Sequence, residues 1–304
     1  MRTIIIFITG IWISSIPLYS QEMFKAKRLT FDHAQQGFST WSPDGKYIIY
    51  QYTDLNDTTG SNGLWRMKAD GTDSKQVFSG IAEHAKWSPD GNYIVFDADT
   101  GQSIRMIPAG GSIPIRFLPD TIQIHSGGLP CWSPDATKIA FKDSGYSLCI
   151  YDMRSKITTR IFCEEGMLLL PGCWSNCGKY VLVALMEKES RKSTIWKVSI
   201  DGNEKIQIKG HHENFYRYLT LSPDGSLLIY AALEGKYLGL YVMGAEGGIS
   251  LPLTVSSQGH NEGVSWSPNG KQISFTSTRS GSFDIWLMDI NTGQIKKELQ
   301  MMYD

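Results

Sequence analysis

The chain has 304 residues, 41% hydrophobic and 19% charged, with 30 acidic residues against 29 lysines and arginines. That much apolar material supplies a large core and excludes an intrinsically disordered chain. The net charge is −1 and no segment carries five like charges in a row, so neither nucleic acid nor an anionic membrane surface is implied as a partner.

The N-terminus reads as a targeting segment. Met1 and Arg2 give a positive start, residues 3–13 are an apolar run, and residues 14–20 are small or turn-forming. This is the layout of a secretory signal peptide over residues 1–20, leaving a mature chain of residues 21–304 in the periplasm or the medium. The apolar run is short for a membrane span, and no cysteine precedes Cys131 that a lipid could occupy. No membrane insertion of the mature chain is expected.

Beyond the leader one motif returns six times: TWSPDGKYIIY (40–50), KWSPDGNYIVF (86–96), CWSPDATKIAF (131–141), CWSNCGKYVLV (173–183), TLSPDGSLLIY (220–230) and SWSPNGKQISF (265–275). Its anchors, Trp41, Trp87, Trp132, Trp174, Leu221 and Trp266, are 46, 45, 42, 47 and 45 residues apart. In S-P-D-G, proline presets φ at the first central turn position, aspartate suits the second, and glycine takes the left-handed position after it. Each copy therefore predicts a β-hairpin. Ala136 in place of glycine, and Asn176-Cys177 in place of Pro-Asp, predict local strain or a different turn. A third strand follows in each repeat, as in 64–72 and 285–293, and a fourth, as in 75–80 and 249–254.

Four antiparallel strands per repeat make one blade, and a blade cannot bury its own faces. The expectation is an all-β, six-bladed β-propeller whose tryptophans are pegs between neighbouring blades. Two segments compete to close the ring on blade six, residues 26–31 and residues 295–300; both read as fourth strands, and the sequence does not choose.

The five cysteines fall in repeats three and four. At most one disulfide is expected, Cys149 with Cys163 being the cross-strand candidate, while Cys131 and Cys173 read as small core residues. The six histidines are His33, His84, His125, His211, His212 and His260, all between a fourth strand and the next anchor. Those connections share one face, which predicts a ring of histidines around one mouth of the central channel. Glu83, Glu213, Arg217, Gln258 and Glu262 fall in the same connections. Imidazoles at such a mouth make a candidate ligand site, with a divalent metal as a candidate cofactor.

The repeats resemble the propeller repeats of the TolB family, marked by W-S-P-D-G and a following I-W/Y-x-M-D; STRSGSFDIWLMDINTG (277–293) is the closest stretch. The resemblance implies a propeller without the α/β domain that precedes it in TolB. The peptidase relatives of that family carry a hydrolase domain with G-x-S-x-G, a motif this sequence lacks. The expected role is a non-catalytic module of the cell envelope that binds a protein or a saccharide. The alternative comes from a second resemblance, to oligogalacturonate lyases, which are TolB-like propellers with a manganese site of histidines and a glutamine. It implies a carbon–oxygen lyase acting on uronate oligosaccharides, with His211, Gln258 and His260 as the metal set. Glu262 stands where that family has a further histidine.

Overall fold

The computed structural model describes residues 25–212, 215–254 and 259–302, so the expected leader lies outside the described residues. Strand β1 (Ala26–Arg28) comes first. Blade one is β2 (Gln35–Trp41), β3 (Tyr47–Thr53), β4 (Gly63–Lys68) and β5 (Lys75–Ser79). Blade two is β6 (Ala82–Trp87), β7 (Tyr93–Ala98), β8 (Ser103–Pro108) and β9 (Ile115–Arg116). Blade three is β10 (Cys131–Trp132), β11 (Lys138–Lys142), β12 (Leu148–Asp152) and β13 (Thr158–Phe162). Blade four is β14 (Met167–Trp174), β15 (Tyr180–Glu187), β16 (Ser193–Ser199) and β17 (Lys205–His212). Blade five is β18 (Tyr216–Leu221), β19 (Leu227–Glu234), β20 (Tyr237–Gly244) and β21 (Gly247–Pro252). Blade six is β22 (Asn261–Trp266), β23 (Gln272–Ser277) and β24 (Asp284–Asp289), with β1 as its fourth strand.

The hairpin turns form as the motif dictates. Gly45 N–H donates to the Ser42 carbonyl at 2.9 Å, and the Ser42 hydroxyl donates to Asp44 at 2.7 Å and accepts from Tyr47 N–H at 2.9 Å. The same pattern recurs at Ser88, Ser133 and Ser222, and at Ser267 with Asn269 as the acceptor. Of the two irregular copies, Ala136 is strained, holding glycine's place at φ 57°. Asn176-Cys177 is not: the Cys177 thiol lies 3.3 Å from Ser175 Oγ where an aspartate would sit, and Gly178 closes the usual turn.

The core is divided among the seams between blades. Ile49 and Leu64 of blade one pack on Ile94, Phe96 and Ile107 of blade two, and five similar clusters fill the other seams. Trp41, Trp132, Trp174 and Trp266 are buried in them, as the peg reading expected, whereas Trp87 is half-buried. The five cysteines are all free: Cys149 is buried opposite Arg160, and Cys163 lies exposed beyond the end of β13.

Ring closure is settled by β1, which pairs antiparallel with β24 through Ala26–Met288, Lys27–Leu287 and Arg28–Trp286. Residues 295–300 are not the strand they resembled. They belong to helix α1 (Thr292–Met301), capped by the Asn291 side chain accepting from Gln294 N–H at 3.0 Å. Ile295 and Leu299, one turn apart, enter the seam of blades five and six, which is a helical spacing rather than an alternating one.

The clasp is pinned by a buried carboxylate. Asp284 Oδ2 lies 3.0 Å from the Arg28 guanidinium, and Oδ1 accepts from Thr30 Oγ1 at 3.2 Å. Thr30 Oγ1 in turn accepts from Ile285 N–H at 3.0 Å. Asp284→Ala is expected to cost about 2 kcal/mol in urea unfolding, because Arg28 reaches water while the hydroxyls around Asp284 lose their acceptor. Unchanged stability would show that the clasp does not depend on this carboxylate. Among the described residues, no helix is long and apolar enough to cross a membrane.

Candidate functional site

The inner strands are not regular. In the paired inner strands of blades one, two, four, five and six, one extra residue is inserted just before the anchor, between Gly37 and Thr40, Glu83 and Lys86, Pro171 and Cys173, Arg217 and Thr220, and Glu262 and Ser265. The residue three before the anchor then turns left-handed: Phe38 at φ 50°, His84 at 52°, Leu129 at 52°, Tyr218 at 54° and Gly263 at 58°. Proline cannot adopt that φ, and in blade four Pro171 occupies the place without it. In blade six the place is held by Gly263, where a Cβ would come within 3.1 Å of the Phe38 ring and Thr276 Oγ1. Four non-glycine residues held left-handed cost about 1–2 kcal/mol each. Such strain concentrates where side chains are aimed for a purpose.

These residues choke the channel. Phe38 and His84 rings lie 4.4 Å apart, and the Phe38 and Tyr218 rings 5.5 Å apart. The remaining space is about 40 Å³, room for two or three waters and not for a sugar ring. His84 is held by a buried carboxylate: its Nδ1–H donates to Asp97 Oδ2 at 2.9 Å, while Asp97 also accepts from Gly128 N–H at 2.7 Å and Leu129 N–H at 3.1 Å. His84 Nε2 is buried with no partner among the described residues. Lys142, itself buried, donates to the carbonyls of His125 at 3.1 Å and Ser126 at 3.4 Å. Burial pulls its pKa down, opposed by Asp97 and Asp143.

Above the choke, at the end where the inner strands begin, a pocket of about 270 Å³ opens between blades six, one and two. Its polar lining is Gln35, Gln36, Gln51, Thr53, Glu83, Glu262 and Thr276, with Phe38 and Phe283 as apolar walls. Gln36 is 0% exposed, its amide nitrogen donates to Asp32, and its Oε1 has no partner among the described residues. Gln51 Oε1 is likewise buried without one. Burial and then the Glu262 carboxylate push the Tyr218 hydroxyl well above its ordinary pKa, so it remains a donor to Glu262. Two unpartnered amide oxygens and two carboxylates therefore give the walls of this pocket an acceptor character.

The histidines predicted for the channel mouth lie in different settings. His84 lies within β6 rather than in a connection, and its side chain enters the channel. His260 sits at the seam of blades five and six, accepting from Leu238 N–H at Nδ1 (3.3 Å) and donating from Nε2 to Glu262 at 3.2 Å. His33 and His125 are exposed in the connections before β2 and β10. His211 and His212 end strand β17 rather than sitting in a loop, while Glu213 and Gln258 lie outside the described residues. Arg217 stacks over Phe215 and Tyr218 at 5.0 and 4.7 Å. Among the described residues no three His, Cys, Asp or Glu side chains gather as metal ligands would. The sequence reading missed Phe38, Tyr218, Gln36 and Gln51. Written out as aligned repeats, the column three before the anchor reads Phe, His, Leu, Pro, Tyr, Gly, and that variety beside a nearly constant tryptophan was the available signal.

Comparison with known proteins agrees with this architecture. Among curated proteins, an uncharacterized protein of Agrobacterium fabrum is 26% identical over 182 residues, 57% of this chain; the match spans 58% of the relative's length. Among solved structures, a protein assigned as TolB from Agrobacterium tumefaciens superposes with a TM-score of 0.62 at 18% identity, covering 88% of this chain and 98% of that one. The oligogalacturonate lyase of Vibrio parahaemolyticus gives 0.61 at 13% identity, covering 88% and 94%. At such identities these structures share the fold and no more. The family model for the TolB beta propeller domain matches residues 137–301, more than half of the chain. The chain belongs to the TolB β-propeller family.

Proposed function

We propose that this propeller is an exported, non-catalytic binding module of the cell envelope, which takes a protein or saccharide group into the pocket between blades six, one and two. The observation that carries the reading is the set of unpartnered acceptors, Gln36 Oε1 and Gln51 Oε1, beside Glu83 and Glu262 in a space of about 270 Å³. Buried acceptors without donors are costly, and a ligand rich in N–H or O–H groups relieves them. Export rests on the leader-like residues 1–20 and places the module in the periplasm or medium.

A metal-dependent lyase fits the described residues less well. His260, one member of the metal set, has both ring nitrogens engaged, and would surrender a bond at Leu238 or Glu262 to take an ion.

The test sets Glu83→Gln/Glu262→Gln beside the parent protein, each immobilised and exposed to envelope extract and to a glycan array. A partner held by the parent and lost by the variant, at an unchanged melting temperature, is the expected result. Equal retention by both would place the working surface elsewhere.

A further inference from the structure

The other end of the channel has the opposite character. The residue immediately before each anchor lines it: Thr40, Lys86, Cys131, Cys173, Thr220 and Ser265, around a pocket of about 290 Å³. One of the six is a cation, and the rest offer hydroxyl or thiol hydrogens. None is a carboxylate. Burial pulls the Lys86 amine below its ordinary pKa, and the titratable groups acting on it are the Cys131 and Cys173 thiols, with no acid among them. Burial pushes both thiols up, so they stay neutral. A lysine in a cavity is normally paired with an acid. Here the residues before the six anchors surround it without a carboxylate.

We propose that Lys86 and the hydroxyls of Thr40, Thr220 and Ser265 form a binding site for a small oxyanion, a carboxylate or a phosphate group. An anion supplies the missing counter-charge and accepts from several donors at once, and charge-assisted bonds of this kind are the strong ones. The site takes a terminal group rather than a threaded chain, because the choke behind it holds about 40 Å³. It lies on the face of the S-P-D-G turns, with Pro89 and Pro134 at its edge, away from the acceptor pocket, and does not depend on the function proposed there.

Calorimetric titration of the folded protein with sodium phosphate and with sodium acetate, against sodium chloride at equal ionic strength, tests it. One-to-one binding of either anion is expected, and which of the two binds tells phosphate from carboxylate chemistry. Lys86→Met should weaken binding by at least about tenfold, while Lys86→Arg should retain most of it. Glu83→Gln/Glu262→Gln should leave it unchanged. No heat from either anion with the parent protein, or undiminished binding by Lys86→Met, overturns the proposal. A second readout needs no variant: trace acetylation followed by mass spectrometry should show Lys86 protected by the anion that binds and not by chloride. Equal labelling in both overturns the site.

Discussion

Asp97→Ala is expected to lower the unfolding free energy by about 3–5 kcal/mol, the usual cost of removing one partner from a buried charged network. Asp97 is 1% exposed and accepts from His84 Nδ1, Gly128 N–H and Leu129 N–H, so its loss strands three donors. It also removes one of the two carboxylates that oppose the desolvation of Lys142, leaving Asp143, which is already paired with Arg160 at 2.7 Å. Urea unfolding followed by circular dichroism measures the effect. The coupling is checked by adding Lys142→Met: with the ammonium gone, part of the lost stability should return. A double variant no more stable than Asp97→Ala alone would show that the cost comes from the stranded donors and not from the lysine.

Trp266→Ala should cost a similar amount, about 3–5 kcal/mol, as a large aromatic lost from a packed seam. The ring is 7% exposed and packs with Ile273, Phe275 and Met288 of its own blade and Leu227, Ile229 and Leu240 of blade five. Trp87 occupies the same column but is half-buried and edges the Lys86 pocket, so Trp87→Ala should cost clearly less. Equal losses at the two positions in a melting experiment would mean that the column is energetically uniform and that exposure of Trp87 is immaterial.

The blades were legible because the turn chemistry repeats: serine, aspartate and glycine each satisfy a named backbone group, and these bonds recur with the spacing of the anchors. The closing strand was not legible by the same means. Residues 26–31 and 295–300 both mix lysine with apolar residues, and reading both for alternation hid the four-residue spacing of Ile295 and Leu299 behind Asn291. The setting of His84 was not legible for a different reason. Position along the chain placed it just before its anchor, but its side-chain direction depends on a left-handed φ imposed by an inserted residue, and no local composition announces it. Polarity of the two mouths was readable in principle. The column before the anchor, Thr, Lys, Cys, Cys, Thr, Ser, contains no acid, whereas Glu83 and Glu262 stand four residues before theirs.

The clasp between β1 and β24 has a consequence for how the disc assembles. Arg28 and Asp284 are 256 residues apart, so blade six is completed by a strand that lies before blade one in the chain. In a free chain, bringing such distant ends together would cost about 5 kcal/mol of loop entropy. Blades that form one after another carry that cost piecemeal, each seam fixing the next, until the disc lacks a single slot. Through that interval the outer edge of β24 is bare, an unpaired strand open to a neighbouring chain. The β1–β24 seam is thus the point where misassembly of this protein would begin.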